Sequence, residues 1–167
     1  MNKPLPDIKL KKAIQLREEG HYESSKTILL ALVTQSPSNA AYHYHCAWTH
    51  DAMGLERDAV QFYEKAMQCG LEGEDLAGAY LGLGSTLRGL GHYEQSEKIL
   101  SEGFEKFPEK KSIETFLAMA LYNRAKYKES VSRLLKILIA TSADKDITQF
   151  GRAILHYAAD LDFIESK

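Results

Sequence analysis

The tetrapeptide Gly-His-Tyr-Glu occurs at residues 20–23 and again at 91–94. Self-similarity at a fixed period marks a chain that stacks copies of one supersecondary unit, so this repeat limits the possible folds more than any other feature. Each copy is followed at the same offsets by Ser (Ser25, Ser96), Leu (Leu29, Leu100) and Pro (Pro37, Pro108). The two copies lie 71 residues apart, which is two periods of 34 with a three-residue insertion. That spacing predicts a copy between them. Gly54-Leu-Glu-Arg-Asp-Ala59 fills the slot, with Tyr63 where Leu29 stands in the first copy. One period beyond Gly91 comes Ala125-Lys-Tyr-Lys-Glu-Ser130, followed by Leu134 and Ile137.

The pattern ahead of each turn repeats as well. The third copy reads Tyr80, Leu83-Gly84, Leu87, then Ser96, Leu100, Gly103 and Pro108. The fourth reads Glu114, Leu117-Ala118, Leu121, then Ser130, Leu134 and Ile137. The second reads His43, Cys46-Ala47, His50, then Ala59, Tyr63 and Ala66, and the first opens with Lys9, Lys12-Ala13 and Leu16. This resembles the tetratricopeptide repeat (TPR), whose pattern is W-x2-L-G-x2-Y, then A-x3-F, then P. From Ala47 onward the chain is also similar to a family of small bacterial proteins built on that repeat. The resemblance implies an all-α fold, a right-handed α-α superhelix (a TPR solenoid) of about four helix-turn-helix repeats. These span roughly 6–39, 40–73, 77–110 and 111–144, within a single domain covering 1–167.

Each slot has a physical reason. Gly20, Gly54 and Gly91 suit the left-handed residue that ends a helix. Ala125 stands in that slot in the fourth copy and predicts a tighter or strained turn. Ala13, Ala47, Gly84 and Ala118 let the paired helices approach closely, as do Ser25, Ala59, Ser96 and Ser130 on the second helices. Pro37 and Pro108 stop the second helices, and Ser38 is a candidate N-cap. Ile147, Phe150, Ile154, Ala158 and Leu161 then form a helical apolar stripe. It predicts one capping helix over about 144–164, covering the open core of the last repeat. Asp160, Asp162 and Glu165 oppose the helix dipole at its end and predict fraying.

Composition narrows the function classes. Hydrophobic residues make up 44% and charged residues 26%, which is ordinary globular usage. The net charge of -2 supplies no bulk attraction to phosphate backbones, so no nucleic-acid partner is expected. The start, MNKPLPDIKLKK, lacks the apolar run of a secretory signal. The longest apolar stretch, Ile28–Val33, is far too short to span a bilayer, so no membrane partner is expected either. Two cysteines, Cys46 and Cys69, do not make a disulfide framework and read as free thiols in a reducing cytoplasm.

Few residues invite chemistry. His43, Cys46 and His50 recur at i, i+3 and i+7 on one helical face and are acceptable zinc ligands in type. They also occupy core slots of the repeat, and a packed core is the plainer reading. Gly78-Ala-Tyr-Leu-Gly-Leu-Gly-Ser-Thr86 is neither G-x-G-x-x-G nor a Walker loop, and no strand precedes it. Gly78 and Gly82 lie on the inner side of the third repeat, and a bare backbone groove open to a ligand would explain them. Ser85 has no His and carboxylate in any recognisable arrangement. The lysines at 9, 11 and 12 and the Glu109-Lys-Lys111 run read as solvated helix faces. No catalytic residue and no cofactor is expected.

The resemblance also implies that first helices line a concave groove in which peptides lie. By register, Leu10, Ile14 and Arg17 face inward from the first repeat. Tyr44, Trp48 and Asp51 do so from the second, Leu81, Ser85 and Arg88 from the third, and Thr115, Met119 and Tyr122 from the fourth. The candidate binding row is therefore Tyr44, Trp48, Asp51, Leu81, Ser85, Arg88, Met119 and Tyr122, a mixture that suits binding hot spots. Trp48, the sole Trp, reads as groove-facing, with burial in the core as the alternative. The Lys/Asn/Arg clamp of chaperone-binding members is absent, since Leu10, Ile14, His45, Gly78 and Gly82 stand at its positions; Arg88 remains to receive one carboxylate. Leu30 and Leu135 fall where second helices usually show polar residues, an apolar strip that favours self-association. The expected function is a non-enzymatic module that binds a protein or peptide. The alternative is a self-associating homodimer, and a metal-dependent regulator or enzyme on His43, Cys46 and His50 comes last.

Overall fold

The computed structural model describes residues 5–164. Among the described residues all regular structure is helical. The helices fall into two compact units, Met1–His92 and Tyr93–Lys167, where the sequence reads as one domain. The boundary lies inside the third repeat, just after its Gly91 turn. Residues 1–4 of the N-terminal segment and Glu165 of the acidic end lie outside the described residues.

The first unit holds α1 (Leu5–Glu18), α2 (Tyr22–Gln35), α3 (Ala40–Ala52), α4 (Glu56–Gln68) and α5 (Gly73–Gly89). Helix α1 packs on α2 and α3 on α4; α2 and α4 also pack on the first helix of the following repeat, α3 and α5 respectively. Helix α3 adjoins both α1 and α5, so the three first helices form one face. The core contains Ala13, Leu29, Leu32, Tyr42 and Cys46, all buried. The second unit holds α6 (Tyr93–Lys106), α7 (Lys111–Asn123), α8 (Tyr127–Thr141), α9 (Lys145–Thr148) and α10 (Gly151–Ala159). Here α7 packs on both α6 and α8, and α10 packs on α8.

The turns work as the repeat predicts. Gly20, Gly54 and Gly91 have φ of 82°, 71° and 80°. After each, an N–H reaches back five residues to close the helix end: His21 to Leu16 O at 2.7 Å, Leu55 to His50 O at 2.9 Å, His92 to Leu87 O at 2.9 Å. The fourth turn closes identically, Lys126 N–H to Leu121 O at 2.9 Å, although Ala125 must take φ 59° to do it. Helix α2 ends two residues before Pro37, and α6 two residues before Pro108. The small residues Ala13, Ala47, Ala118, Ser25, Ala59, Ser96 and Ser130 are all buried. Two of the serines also stitch their pair, Ser25 Oγ donating to Ala13 O at 2.8 Å and Ser130 Oγ to Ala118 O at 2.6 Å.

Two local expectations need correcting. Asn39 rather than Ser38 caps α3, its side chain accepting from Tyr42 N–H at 3.2 Å. The segment 144–164 is not one helix. Asp144 caps the short α9, the chain breaks at Gln149 and Phe150, and α10 ends at Ala159. The second start lies at Phe150, the N-cap residue of α10, with φ of -96° and ψ of 7°. The buried Gly151 that follows seats the start of α10 on α8, where a Cβ would make ordinary van der Waals contact with Ile139 at 3.5 Å. Of the apolar stripe, Ala158 is buried, Ile147 and Ile154 are half-buried, and Phe150 and Leu161 are exposed.

Candidate functional site

The α1–α3–α5 face gathers Arg17, Tyr44, His45, Trp48 and Asp51. Tyr44 and Trp48 are one turn apart on α3 but differ sharply, being 5% and 46% exposed. Their rings meet at 6.0 Å between centroids. Trp48 therefore stands at the surface of this face, and Tyr44 points into it. The guanidinium of Arg17 lies 3.9 Å from the Trp48 ring centroid, a cation–π contact. Arg17 Nη1 also lies 3.3 Å from His45 Nδ1. A guanidinium can only donate, so Nδ1 accepts and the imidazole proton sits on Nε2. Burial, followed by the Arg17 charge, pushes the His45 pKa down to about 4, so the ring is neutral at physiological pH. Burial also holds Arg17 below its ordinary value, with Tyr44 and Glu18 pulling the other way.

Tyr44 reaches α5 at a glycine: a Cβ on Gly78 would stand 2.2 Å from its hydroxyl oxygen. Burial, then the negative charge of Asp75, raises the Tyr44 pKa to about 12. One turn further, a Cβ on Gly82 would stand 2.4 Å from Cζ of Tyr63. The groove that Gly78 and Gly82 were expected to leave open is thus occupied by two tyrosines. The glycines are needed for side chains of the neighbouring repeat, not for a ligand.

Asp51, at the C-terminal end of α3, is half-buried and fully engaged. Tyr63 donates its hydroxyl to Oδ2 at 3.0 Å, and the single proton of the Thr86 hydroxyl is shared between the two carboxylate oxygens, each at 2.8 Å, and Gly82 O at 2.7 Å. Burial raises the Asp51 pKa against the lowering effect of the Thr86 and Tyr63 hydrogen bonds. Asp51 thereby ties α3 to α4 and α5. Leu81, Ser85 and Arg88 on α5 are half-buried, and the Ser85 hydroxyl donates to Gly82 O at 2.9 Å. The last two residues of the expected row belong to the second unit. Met119 is half-buried, and Tyr122 is exposed with its ring edge-on to Tyr127 at 5.2 Å.

His43, Cys46 and His50 pack around Phe62 and the α3 backbone. The rings of His43 and His50 lie 6.1 and 4.9 Å from that of Phe62. His43 Nε2 bonds Pro37 O at 2.8 Å, and His50 Nδ1 bonds Cys46 O at 2.7 Å. Each of those nitrogens donates a proton to a carbonyl and has no lone pair for a metal. Burial pushes the Cys46 thiol up to about 12, so it stays protonated. Among the described residues no group of three His, Cys, Asp or Glu side chains is arranged to hold a metal ion.

Sequence reasoning passed over the Arg17–His45 pair and the two tyrosine–glycine contacts. Arg17 was legible as an inward residue of the first repeat, but its partner is 28 residues away. No local pattern announces that contact.

Residues 38–161 match the profile of a family described as Tetratrico peptide repeat. No curated protein sequence matches this chain. Among solved structures, YrrB, described as a TPR protein with an unusual peptide-binding site, is similar with a TM-score of 0.72 at 16% identity, over 92% of this chain and 78% of that one. A MamA double mutant is similar with a TM-score of 0.74 at 12% identity, over 95% of this chain and 87% of that one. PilF of Pseudomonas aeruginosa has a TM-score of 0.69 at 17% identity, over 93% and 69%. At these identities the likeness is one of fold. The family match covers most of the chain, so this chain belongs to the tetratricopeptide repeat family, whose fold serves as a protein–protein interaction module.

Proposed function

We propose that this protein is a non-enzymatic interaction module that binds a peptide or protein segment on the α1–α3–α5 face of its first unit. The half-open Trp48, backed by Arg17 and Tyr44, is the observation that carries this reading. A large aromatic beside an Arg on an otherwise packed face has the makeup of a binding hot spot. Asp51, Leu81, Ser85 and Arg88 frame the same face, and Met119 and Tyr122 are a contact surface of the second unit. The peptide-binding site of YrrB, a protein of the same fold, supports the same class of ligand. Two free cysteines, one buried, support a reducing cytoplasmic compartment, and similarity to PilF of Pseudomonas aeruginosa supports a bacterial setting. Affinity capture with wild type and Trp48→Ala tests the proposal. Loss of the wild-type partner from the variant is the expected result, and capture of the same partner at the same level removes this face as the site.

Self-association is a second reading with its own observation. Val131, Leu134 and Leu138 are exposed along α8. Leu134 is 39% exposed, whereas Leu29, Tyr63 and Leu100 in the same slot of the other repeats are at most 2% exposed. Leu30 is also exposed, and Leu135 half-buried, as the sequence reading of that strip expects in part. Light scattering over a concentration series decides: a dimer that Leu134→Lys dissociates supports this reading, and a strict monomer ends it.

A further inference from the structure

Arg17 is 6% exposed, which places a permanent cation inside the first unit. A buried charge is tolerated where a counter-charge or a full set of acceptors compensates it. Neither is present. Among the described residues no Asp or Glu stands at ion-pair distance from the guanidinium. The carboxylate whose field reaches it is that of Glu18, its exposed neighbour in sequence. One side-chain acceptor is within reach, His45 Nδ1 at 3.3 Å, and that imidazole brings no charge. The Trp48 ring offsets part of the cost through its quadrupole, but it carries no net charge. None of the Arg17 nitrogens is among the fully buried, unbonded polar atoms of the described residues, so those not bonded to His45 keep contact with solvent. The guanidinium therefore has free donors, an uncompensated charge and a half-open indole against its face.

We propose that Arg17 and Trp48 form a subsite for a carboxylate carried by the bound peptide. The carboxylate pairs with the open edge of the guanidinium, and the apolar part of the same peptide residue lies on the exposed part of the indole. The inference rests on the groove reading above and specifies its chemistry. A guanidinium matches a planar carboxylate with two parallel hydrogen bonds, and the buried setting strengthens them. A single cation also sets the valence. A phosphate carries a charge of about -1.5 to -2. Asp51 and Asp75 act on the neighbouring tyrosines and disfavour that excess charge. The net charge of -2 provides no bulk attraction, so selectivity for the anion comes from this one side chain.

The test uses the full chain, immobilised, and four pools of random N-acetylated hexapeptides. One pool has a free C-terminal acid and no Asp or Glu. A second is amidated and neutral. A third is amidated with one internal Glu, and a fourth is amidated with one phosphoserine. Trp48 fluorescence is followed alongside retention. The expected result is at least tenfold stronger retention of a carboxylate pool over the neutral pool. The first and third pools show whether the chain terminus or a side chain supplies the carboxylate. Arg17→Met brings the ratio of carboxylate-pool to neutral-pool retention within twofold, with Trp48 fluorescence still responding to the neutral pool. If Arg17→Met fails to fold by circular dichroism, Arg17→Gln, which keeps a donor for His45, is read in its place. Equal retention of neutral and carboxylate pools overturns the subsite while the groove reading stands. So does an undiminished preference in the Arg17 variant, or phosphoserine retained above both carboxylate pools. If no pool is retained and Trp48 fluorescence never moves, the groove reading itself fails, and the subsite with it.

Discussion

Two residues show how single positions are held to the repeat's geometry. Ala125 takes the left-handed conformation that Gly20, Gly54 and Gly91 take in the other repeats, with φ 59°. A Cβ in that region costs about 1–2 kcal/mol, and glycine's greater freedom in the unfolded chain returns part of it. Ala125→Gly is expected to stabilise the protein by about 0.5–1 kcal/mol, read as a rise in urea midpoint at constant m-value. The sequence shows this position as an oddity, because the other copies of the turn supply the standard against which Ala125 departs. Asp51 is the opposite case. By register it is one of the groove positions, yet its carboxylate takes bonds from Tyr63 and Thr86. Asp51→Ala strands the Tyr63 hydroxyl, at a cost of about 1–3 kcal/mol, while Thr86 keeps a bond to Gly82 O at 2.7 Å. A loss of about 1–3 kcal/mol in denaturant melts is expected, with Asp51→Asn milder because its amide oxygen still accepts.

At the scale of the element, α5 carries the most information. Its glycines weaken the helix by about 1 kcal/mol each relative to alanine, yet two of them are required by contacts across the repeat. Gly82→Ala drives a methyl into the Tyr63 ring, whose Cζ would stand 2.4 Å away. Overpacking of that kind costs about 1–3 kcal/mol, more than the helix propensity returns, so a fall in Tm is expected. Gly89 sits at the end of the same helix with nothing within 4 Å of a Cβ. Gly89→Ala is therefore expected to raise Tm, and calorimetry on the two variants gives opposite signs if the close approach, not flexibility, explains the glycines. The sequence revealed that α5 is a helix and that Gly84 is a packing position. The roles of Gly78 and Gly82 were hidden because Tyr44 and Tyr63 lie 34 and 19 residues earlier. The C-terminal segment failed for a related reason. Its apolar spacing reads as one helix, but the chain breaks at Phe150 and α10 packs on α8 from a start of its own. That contact depends on α8 and leaves no periodic trace.

Over the whole molecule, stability should fall on mild acidification, and the sign follows from the buried groups. His45 has its pKa pushed down to about 4 in the folded state, against an ordinary 6.5. The unfolded chain therefore binds that proton first, and stability is lost as pH falls from about 6.5 towards 4, at no more than about 1.4 kcal/mol per pH unit. Glu97 adds to the loss at lower pH. Burial raises it, but the hydrogen bonds and charges of Lys126 and Arg124 outweigh burial and hold it below its ordinary value. Asp51, raised by burial, works in the opposite direction. Urea midpoints from pH 7 to 4 are expected to decline, and His45→Gln is expected to flatten the decline above pH 5; an unchanged slope in that variant would remove His45 as its cause. The repeating sequence determined the all-α class, the helix pairs, their stops and their small contact residues. It did so because each of those is a local requirement written several times at one period, so the copies check one another. Tertiary structure alone decided which inward positions are open, which are filled, and which core slots lie bare at the C-terminal repeat. Tyr44 and Trp48 occupy adjacent turns of the same helix face, and their exposures of 5% and 46% follow from what α1 and α5 place opposite them. Burial depends on atoms distant in sequence, and a period of 34 records nothing about them.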